Sequence, residues 1–305
     1  MTALLVAAAL AIALVACSGD DDADVAEPST TQTTSTATTV LTTTTTEIDP
    51  DIPPVAGATP AAMAEQLETA QATIDDPAAS AAELAAAGHL QQVVYRALAA
   101  APADWVVDVK AALPSTLHDD VDANVEAGRQ LRALVRNPRP NLPAWRIVEP
   151  EPASVLRDHY VAAEAEFGVP WQYLAAVHLT ETRMGRIRGT STAGARGPMQ
   201  FLPSTWEAYG EGDIEDTGDS IRAAARYLKA NGAPGDMDNA LYRYNPTEKY
   251  VIAVKLYAAQ MMANERQFYG YYGWQVYYWS TLGDVWLRVG YEATEERPVT
   301  PDDVS

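Results

Sequence analysis

A carboxyl group acts as a general acid near neutral pH only where its surroundings hold the proton on it. Glu181 has such surroundings. Pro170, Trp171, Leu174 and Val177 predict an apolar helix that runs to Gly185, and Glu181 falls in its last turn. Unpaired carbonyls at a helix C-terminus disfavour negative charge, and desolvation beside Leu174 and Val177 pushes the same way. Arg183, Arg186 and Arg188 oppose this if they point inward, which the sequence leaves open. His178, three residues earlier, can share the helix face of Glu181 or simply pack. Other carboxylates, Asp213, Glu215 and Asp216, stand in a Gly-flanked loop without calcium-loop spacing and read as solvated loop charge.

Two more polar clusters follow Glu181-Thr182. One is Ser191-Thr-Ala-Gly-Ala-Arg-Gly-Pro-Met199-Gln200-Phe201-Leu-Pro-Ser-Thr-Trp206. The other is Tyr244-Asn245, followed by Tyr250-Val251. In that order and spacing, over about Pro152 to Glu265, the three motifs resemble the soluble lytic murein transglycosylases of the goose-type-lysozyme-like superfamily. Thr182 replaces the commoner Ser and keeps a hydroxyl, and Pro198 stands where that family often has Leu.

The resemblance implies an enzyme with a lysozyme-like helical fold and no cofactor or metal. Glu181 matches the catalytic acid/base, and Ser191 a residue that holds substrate near it. Met199, Gln200 and Phe201 match the turn beside the scissile bond. Tyr244 matches the ring whose hydroxyl orients the Glu, and Asn245 braces that segment; Thr182 and Tyr250 complete the substrate-binding set. In the family's mechanism the acid protonates the oxygen between N-acetylmuramic acid and N-acetylglucosamine. The substrate's N-acetyl group stabilises the developing cation, and the ionised Glu then takes the C6 hydroxyl proton as a 1,6-anhydro ring closes. One carboxyl suffices, unlike the paired arrangement of hydrolytic glycosidases. A muramidase of related fold and a non-catalytic glycan-binding wall lipoprotein are the alternatives, and peptidoglycan strands are the partner in each.

The elements that must position these residues are helical. Leu156, Tyr160, Ala163 and Phe167 mark a helix ended by Gly168. Asp219 is expected to cap a helix from Ser220 to Asn231, and Asp238 a short one ending near Tyr244. A longer helix spans roughly Glu248 to Glu265. Upstream, Leu84, Ala87, Val94 and Leu98 mark one helix face. Leu117, Val121, Leu131 and Val135 mark another, with Ser115 and Thr116 placed to cap it. His89 and His118 are isolated and read as packing residues. Trp274, Val276 and Tyr278 alternate, Thr281 to Asp284 reads as a turn, and Val285, Leu287, Val289 and Tyr291 line a return strand. That hairpin either packs on the helices or serves as a sugar-stacking flap. The expected fold class is therefore mainly α: a lysozyme-like helical catalytic domain (141–265), preceded by an accessory helical bundle (57–140) and followed by an aromatic β-hairpin (266–292) and a disordered tail (293–305).

Charge and composition narrow the partners. The 305 residues carry 21 Lys+Arg against 41 Asp+Glu, a net charge of -20. Such a surface repels phosphate backbones, so nucleic acid is excluded as a partner, and charge alone cannot hold the chain to an anionic membrane. Ala3 to Ala16 is an apolar run too short to span a bilayer, which takes about 20 residues, but it suits a secretory signal. It ends in Leu14-Val15-Ala16-Cys17, which resembles a lipobox, although no Lys or Arg precedes it. Cys17 is then the lipidation site, residues 1–17 the leader and 18–56 a disordered Thr-rich tether. The expected location is the outer face of the cell membrane, facing the wall. Cys17 is the sole cysteine, so disulfides, thiolate metal sites and cysteine catalysis are excluded.

Overall fold

The computed structural model describes residues 52–135 and 137–304. The expectations for the leader, for Cys17 and for the tether up to residue 51 lie outside the described residues. Four helices come first: α1 (Pro60–Asp75), α2 (Ala81–Ala100), α3 (Ala103–Ala112) and α4 (His118–Arg132). Two short strands follow, β1 (Asn141–Leu142) and β2 (Arg146–Ile147). Next come α5 (Ala153–Phe167), α6 (Trp171–Thr182), β3 (Ile187–Arg188), α7 (Pro203–Tyr209), α8 (Thr217–Ala230), α9 (Met237–Tyr244), α10 (Glu248–Ala263) and α11 (Gln267–Tyr272). The chain closes with β4 (Val276–Ser280), β5 (Gly283–Leu287) and β6 (Arg297–Pro298). The mainly helical class expected from the sequence is what forms.

Residues 53–304 pack as one unit, and one apolar core runs through both helical regions. Leu67, Leu98, Val121 and Leu131 from the first four helices join Leu174, Val177, Val254 and Tyr257 in it. α4 lies along α10, and α11 against α2. That second contact is so close that a Cβ at Gly88 would stand 2.2 Å from the Gly270 carbonyl oxygen, so only glycine fits there. A second, smaller core gathers Leu142, Ile147, Ile187, Val276, Val285 and Leu287. It is built from three two-stranded antiparallel pairs, β1–β6, β2–β3 and β4–β5.

Several local expectations shift by a few residues. Asp216, not Asp219, caps α8, accepting from the Asp219 N–H at 2.9 Å, while the Asp219 carboxylate takes the Asp213 N–H. Asp236, not Asp238, caps α9 through the Asn239 N–H. In both places two aspartates compete, and the cap goes to the one just before the backbone turns helical. Ser115 and Thr116 lie in a 3-10 turn, and α4 starts at His118 without a side-chain cap. The hairpin is narrower than expected because α11 takes residues up to Tyr272. Val276 pairs with Leu287 and Ser280 with Gly283, so Thr281 and Leu282 alone make the turn. Val289, expected on the inner face, lies beyond the strand and is exposed. The stretch expected to be a disordered tail holds β6, in register with β1, and an Arg297–Asp303 ion pair beside a Thr300–Asp303 capping box.

Candidate active site

α6 has nine buried residues, of which Trp171, Leu174, Ala175, Ala176, Val177 and Leu179 are apolar and His178, Thr180 and Thr182 polar. A helix apolar on most sides belongs in the interior, and α6 is packed by α5, α8 and α10. It ends abruptly. Arg183, Met184 and Gly185 are all left-handed, with φ of 55°, 57° and 87°, and the Met184 N–H returns to the His178 carbonyl at 3.1 Å. Two consecutive non-glycine residues in that region are strained. Thr182 braces the bend: its hydroxyl donates to the Pro198 carbonyl at 2.6 Å and accepts the Gly185 N–H at 3.0 Å.

That bond ties the helix end to the 197–200 turn. Arg196 and Phe201 exchange two backbone hydrogen bonds of 2.9 Å across it. Gly197 is left-handed, and a Cβ there would meet the Ile214 carbonyl oxygen at 2.0 Å. Gln200 is left-handed as well (φ 50°), and its amide donates to the Gly197 carbonyl at 3.0 Å. Phe201 packs edge-on to Trp206 and Tyr244.

Glu181 sits partly buried between these elements, facing a cavity of about 330 Å³. Its Oε1 accepts from the Tyr250 hydroxyl at 2.8 Å. Desolvation pushes its carboxyl up to about 7, with the Tyr250 bond pulling the other way. The three arginines act elsewhere. Arg183 is buried but donates to the Leu179 carbonyl. Arg186 is spent on the Trp274 and Tyr272 carbonyls and on Glu149. Arg188 donates to the Glu215 carbonyl. His178 points into the core, bonded through Nδ1 to the Tyr160 hydroxyl at 2.8 Å. Burial drives its pKa down to about 3, so it stays neutral. The carboxylates of Asp213, Glu215 and Asp216 hold their own loop and the Arg196 side chain.

The structure brings Glu181, Ser191 and Gln200 together on the cavity wall, with Tyr250 touching Glu181. Thr182, Met199, Phe201 and Tyr244 stand behind that wall, and Asn245 is buried where α9 ends. One expected role moves. The Tyr244 hydroxyl donates to the Met199 carbonyl at 2.7 Å, and Tyr250 is the ring that reaches Glu181. Tyr250 opens α10 on its buried side, whereas Tyr244 ends α9 one turn short, and the two rings stack at 6.4 Å.

Half of the cavity comes from residues that the motifs did not mark. Arg139, Asn141, Trp145, Val276, Tyr278 and Glu296 line the same cavity as Glu181, from the connector, the hairpin and the tail. For Val276 and Tyr278 the sequence signal was the alternating hairpin with its reading as a sugar-stacking flap; Arg139, Asn141, Trp145 and Glu296 carried none. Among the described residues no group of three or more His, Cys, Asp or Glu side chains could hold a metal ion.

The segment that carries the motifs is similar to known proteins. Residues 159–265 match the model of the Transglycosylase SLT domain. A stretch of 73 residues, 24% of this chain, is 36% identical to the membrane-bound lytic murein transglycosylase F of Thiobacillus denitrificans (strain ATCC 25259 / T1). It covers 15% of that relative's length. No solved structure matches the chain.

Proposed function

We propose, for a chain whose residues 159–265 match the Transglycosylase SLT domain, that it cleaves the β-1,4 bond between N-acetylmuramic acid and N-acetylglucosamine with Glu181 as its single acid/base. The observation that carries this reading is a carboxyl pushed up to about 7 by burial on the wall of a cavity, with the Tyr250 hydroxyl bonded to it. Protonated, Glu181 donates to the glycosidic oxygen as the bond to the muramic anomeric carbon breaks. The substrate's N-acetyl oxygen stabilises the cation. Ionised, Glu181 then accepts the C6 hydroxyl proton, and that oxygen bonds to the anomeric carbon, giving a 1,6-anhydro end without consuming water. A pKa near the working pH suits a group that must give and then take a proton. Tyr250 favours the ionised half of the cycle, and Gln200 and Ser191 offer polar groups to the sugar.

One observation favours a hydrolytic reading: Glu296 also lines the cavity, and a second carboxylate can activate water. Muropeptide mass spectrometry separates the two. Muramic ends one water lighter than the reducing product support the lytic route, and ordinary reducing ends overturn it. Glu181→Gln is expected to lower release by at least about 1,000-fold; release at the parent rate removes Glu181 from the chemistry. No helix of the described residues is long and apolar enough to cross a membrane. Attachment to the outer face of the cell membrane would rest on acyl chains at Cys17, and metabolic labelling with a fatty-acid probe, abolished in Cys17→Ala, tests it.

A further inference from the structure

β4 lines the cavity together with Glu181 through Val276, Tyr277 and Tyr278, with Arg139 attached to its edge. The Arg139 N–H donates to the Trp279 carbonyl at 3.0 Å, and the Thr281 N–H to the Arg139 carbonyl at 2.9 Å. Trp145 meets Tyr278 edge-on at 5.6 Å on the same side. More than half of the residues around the cavity lie outside the 159–265 family match, so the matched segment alone builds only one side of the cleft.

The outer side of the hairpin is gripped by the accessory bundle. His89, Gln92 and Arg96 recur at three and four residues and form one stripe of α2. His89 Nε2 pairs with the Tyr277 hydroxyl at 2.8 Å, and its ring lies 4.9 Å from that of Trp286. The amide of Gln92, 1% exposed, takes both backbone groups of Gln275: it donates to the carbonyl at 2.9 Å and accepts the N–H at 2.8 Å. The Arg96 guanidinium pairs with Asp284 and covers the Tyr277 ring at 4.5 Å. From α4, Arg132 covers the Trp279 ring at 4.4 Å. The Gly88–Gly270 approach sets the height at which the chain leaves α11 for the hairpin.

We propose that α2 is a positioning element of the cleft and that Gln92 and Arg96 are positioning residues, fixing the hairpin as the wall against which the glycan strand is held beside Glu181. This rests on the reading of the cavity as the catalytic cleft. The clasp takes the hairpin at both strands: the Gln92 amide holds both backbone groups of Gln275 just before β4, Arg96 and His89 reach Asp284 and Trp286 of β5, and buried amide bonds of this kind are costly to leave unmade. A bundle that only filled core volume would not need a polar stripe aimed at the cavity wall.

The test uses the full chain with solubilised glycan strands, and follows backbone exchange at 276–287 by deuterium uptake. Gln92→Leu is expected to speed exchange in the hairpin and to raise KM about tenfold, with kcat within about twofold of the parent. Leu67→Ala, a core cavity in α1 away from the hairpin, is expected to lower Tm at least as far while leaving KM and hairpin exchange unchanged. Arg96→Met, a milder change should Gln92→Leu not fold, is expected to raise KM about threefold. Faster hairpin exchange with an unchanged KM overturns the proposal, as does an equal KM rise in Leu67→Ala. A parent chain that binds glycan strands but releases no product counts against the catalytic reading; its binding constant then stands in for KM, so a loss of binding in Gln92→Leu still supports the clasp and its absence still overturns it.

Discussion

The bundle of α1 to α4 and the segment from α6 to the start of α10 share one core but are built to different standards. In the bundle, Thr59 caps α1 and Ser80 caps α2 through a full capping box with Glu83, and no described non-glycine residue is left-handed. The amides of Gln71, Gln91 and Gln267 close on one another where α11 docks. Around Glu181 the reverse holds. Arg183, Met184 and Gln200, the non-glycine left-handed residues among those described, all lie in the helix end and the turn beside Glu181. Backbone strain gathers where a carboxyl must be held out of water, and the consistent packing of the surrounding helices sustains it. Asp120, lifted to about 6 by burial with Asp75 and Asp119 adding to it, shows the contrast. It takes a bond from Gln267 at the α4–α11 contact rather than facing the cleft.

The comparison is most exposed at Glu181 itself. Its carboxyl titrates near 4.5 when unfolded and at about 7 when folded. The folded chain therefore keeps a proton that the unfolded chain has released between those values. The stability linked to that proton is complete below pH 4.5 and gone above about pH 7. Glu181→Gln is expected to abolish product release yet be more stable than the parent at pH 8, by at most about 3 kcal/mol, and level with it near pH 4. Calorimetry at both pH values checks this. A variant less stable than the parent at pH 8 would mean that the carboxylate is compensated after all, and the site would lose its contrast with the bundle.

Tyr250 is next in size. Its hydroxyl bond favours ionised Glu181, so Tyr250→Phe is expected to move the Glu181 limb of the pH–rate profile upward and to lower kcat by roughly 10- to 100-fold, the value of a bond to a charged group. Tyr244→Phe, which frees only the Met199 carbonyl, is expected to leave that limb in place. If the two variants exchange these outcomes, Tyr244 regains the role its motif position suggested.

That exchange of tyrosines marks how far the sequence could be read. Helix periodicity located α2, α5, α6 and α10 and put Glu181 in a last turn, because apolar spacing and end residues are local signals. Which of two tyrosines, six residues apart, reaches the carboxyl depends on how α9 turns into α10 and how α10 lies on α6, and no local pattern encodes that. That the hairpin, legible as an element, joins Arg139 and Glu296 in one cleft wall was hidden for the same reason: they are brought together by pairings such as Arg139 with Ser280 and Asn141 with Pro298, across more than a hundred positions. The inward-facing arginines near Glu181 looked threatening in sequence. They proved harmless because backbone carbonyls and Glu149 take them up.

The smallest expected effect lies at the other pole of the comparison. Ser80 Oγ accepts the Glu83 N–H at 3.3 Å, and the Glu83 carboxylate accepts the Ser80 N–H at 2.8 Å; both groups are solvent-exposed. Ser80→Ala leaves helix donors to water and is expected to lower Tm by about 2 °C, with kcat and KM both unchanged. The distinction from Gln92→Leu matters, since both residues belong to α2. Fraying of its first turn stops short of His89, where the stripe that holds the hairpin begins, so bundle stability and cleft geometry should separate within this one helix. A KM rise in Ser80→Ala would show instead that α2 responds as a rigid whole, and that loss of order anywhere along it is felt at the cleft.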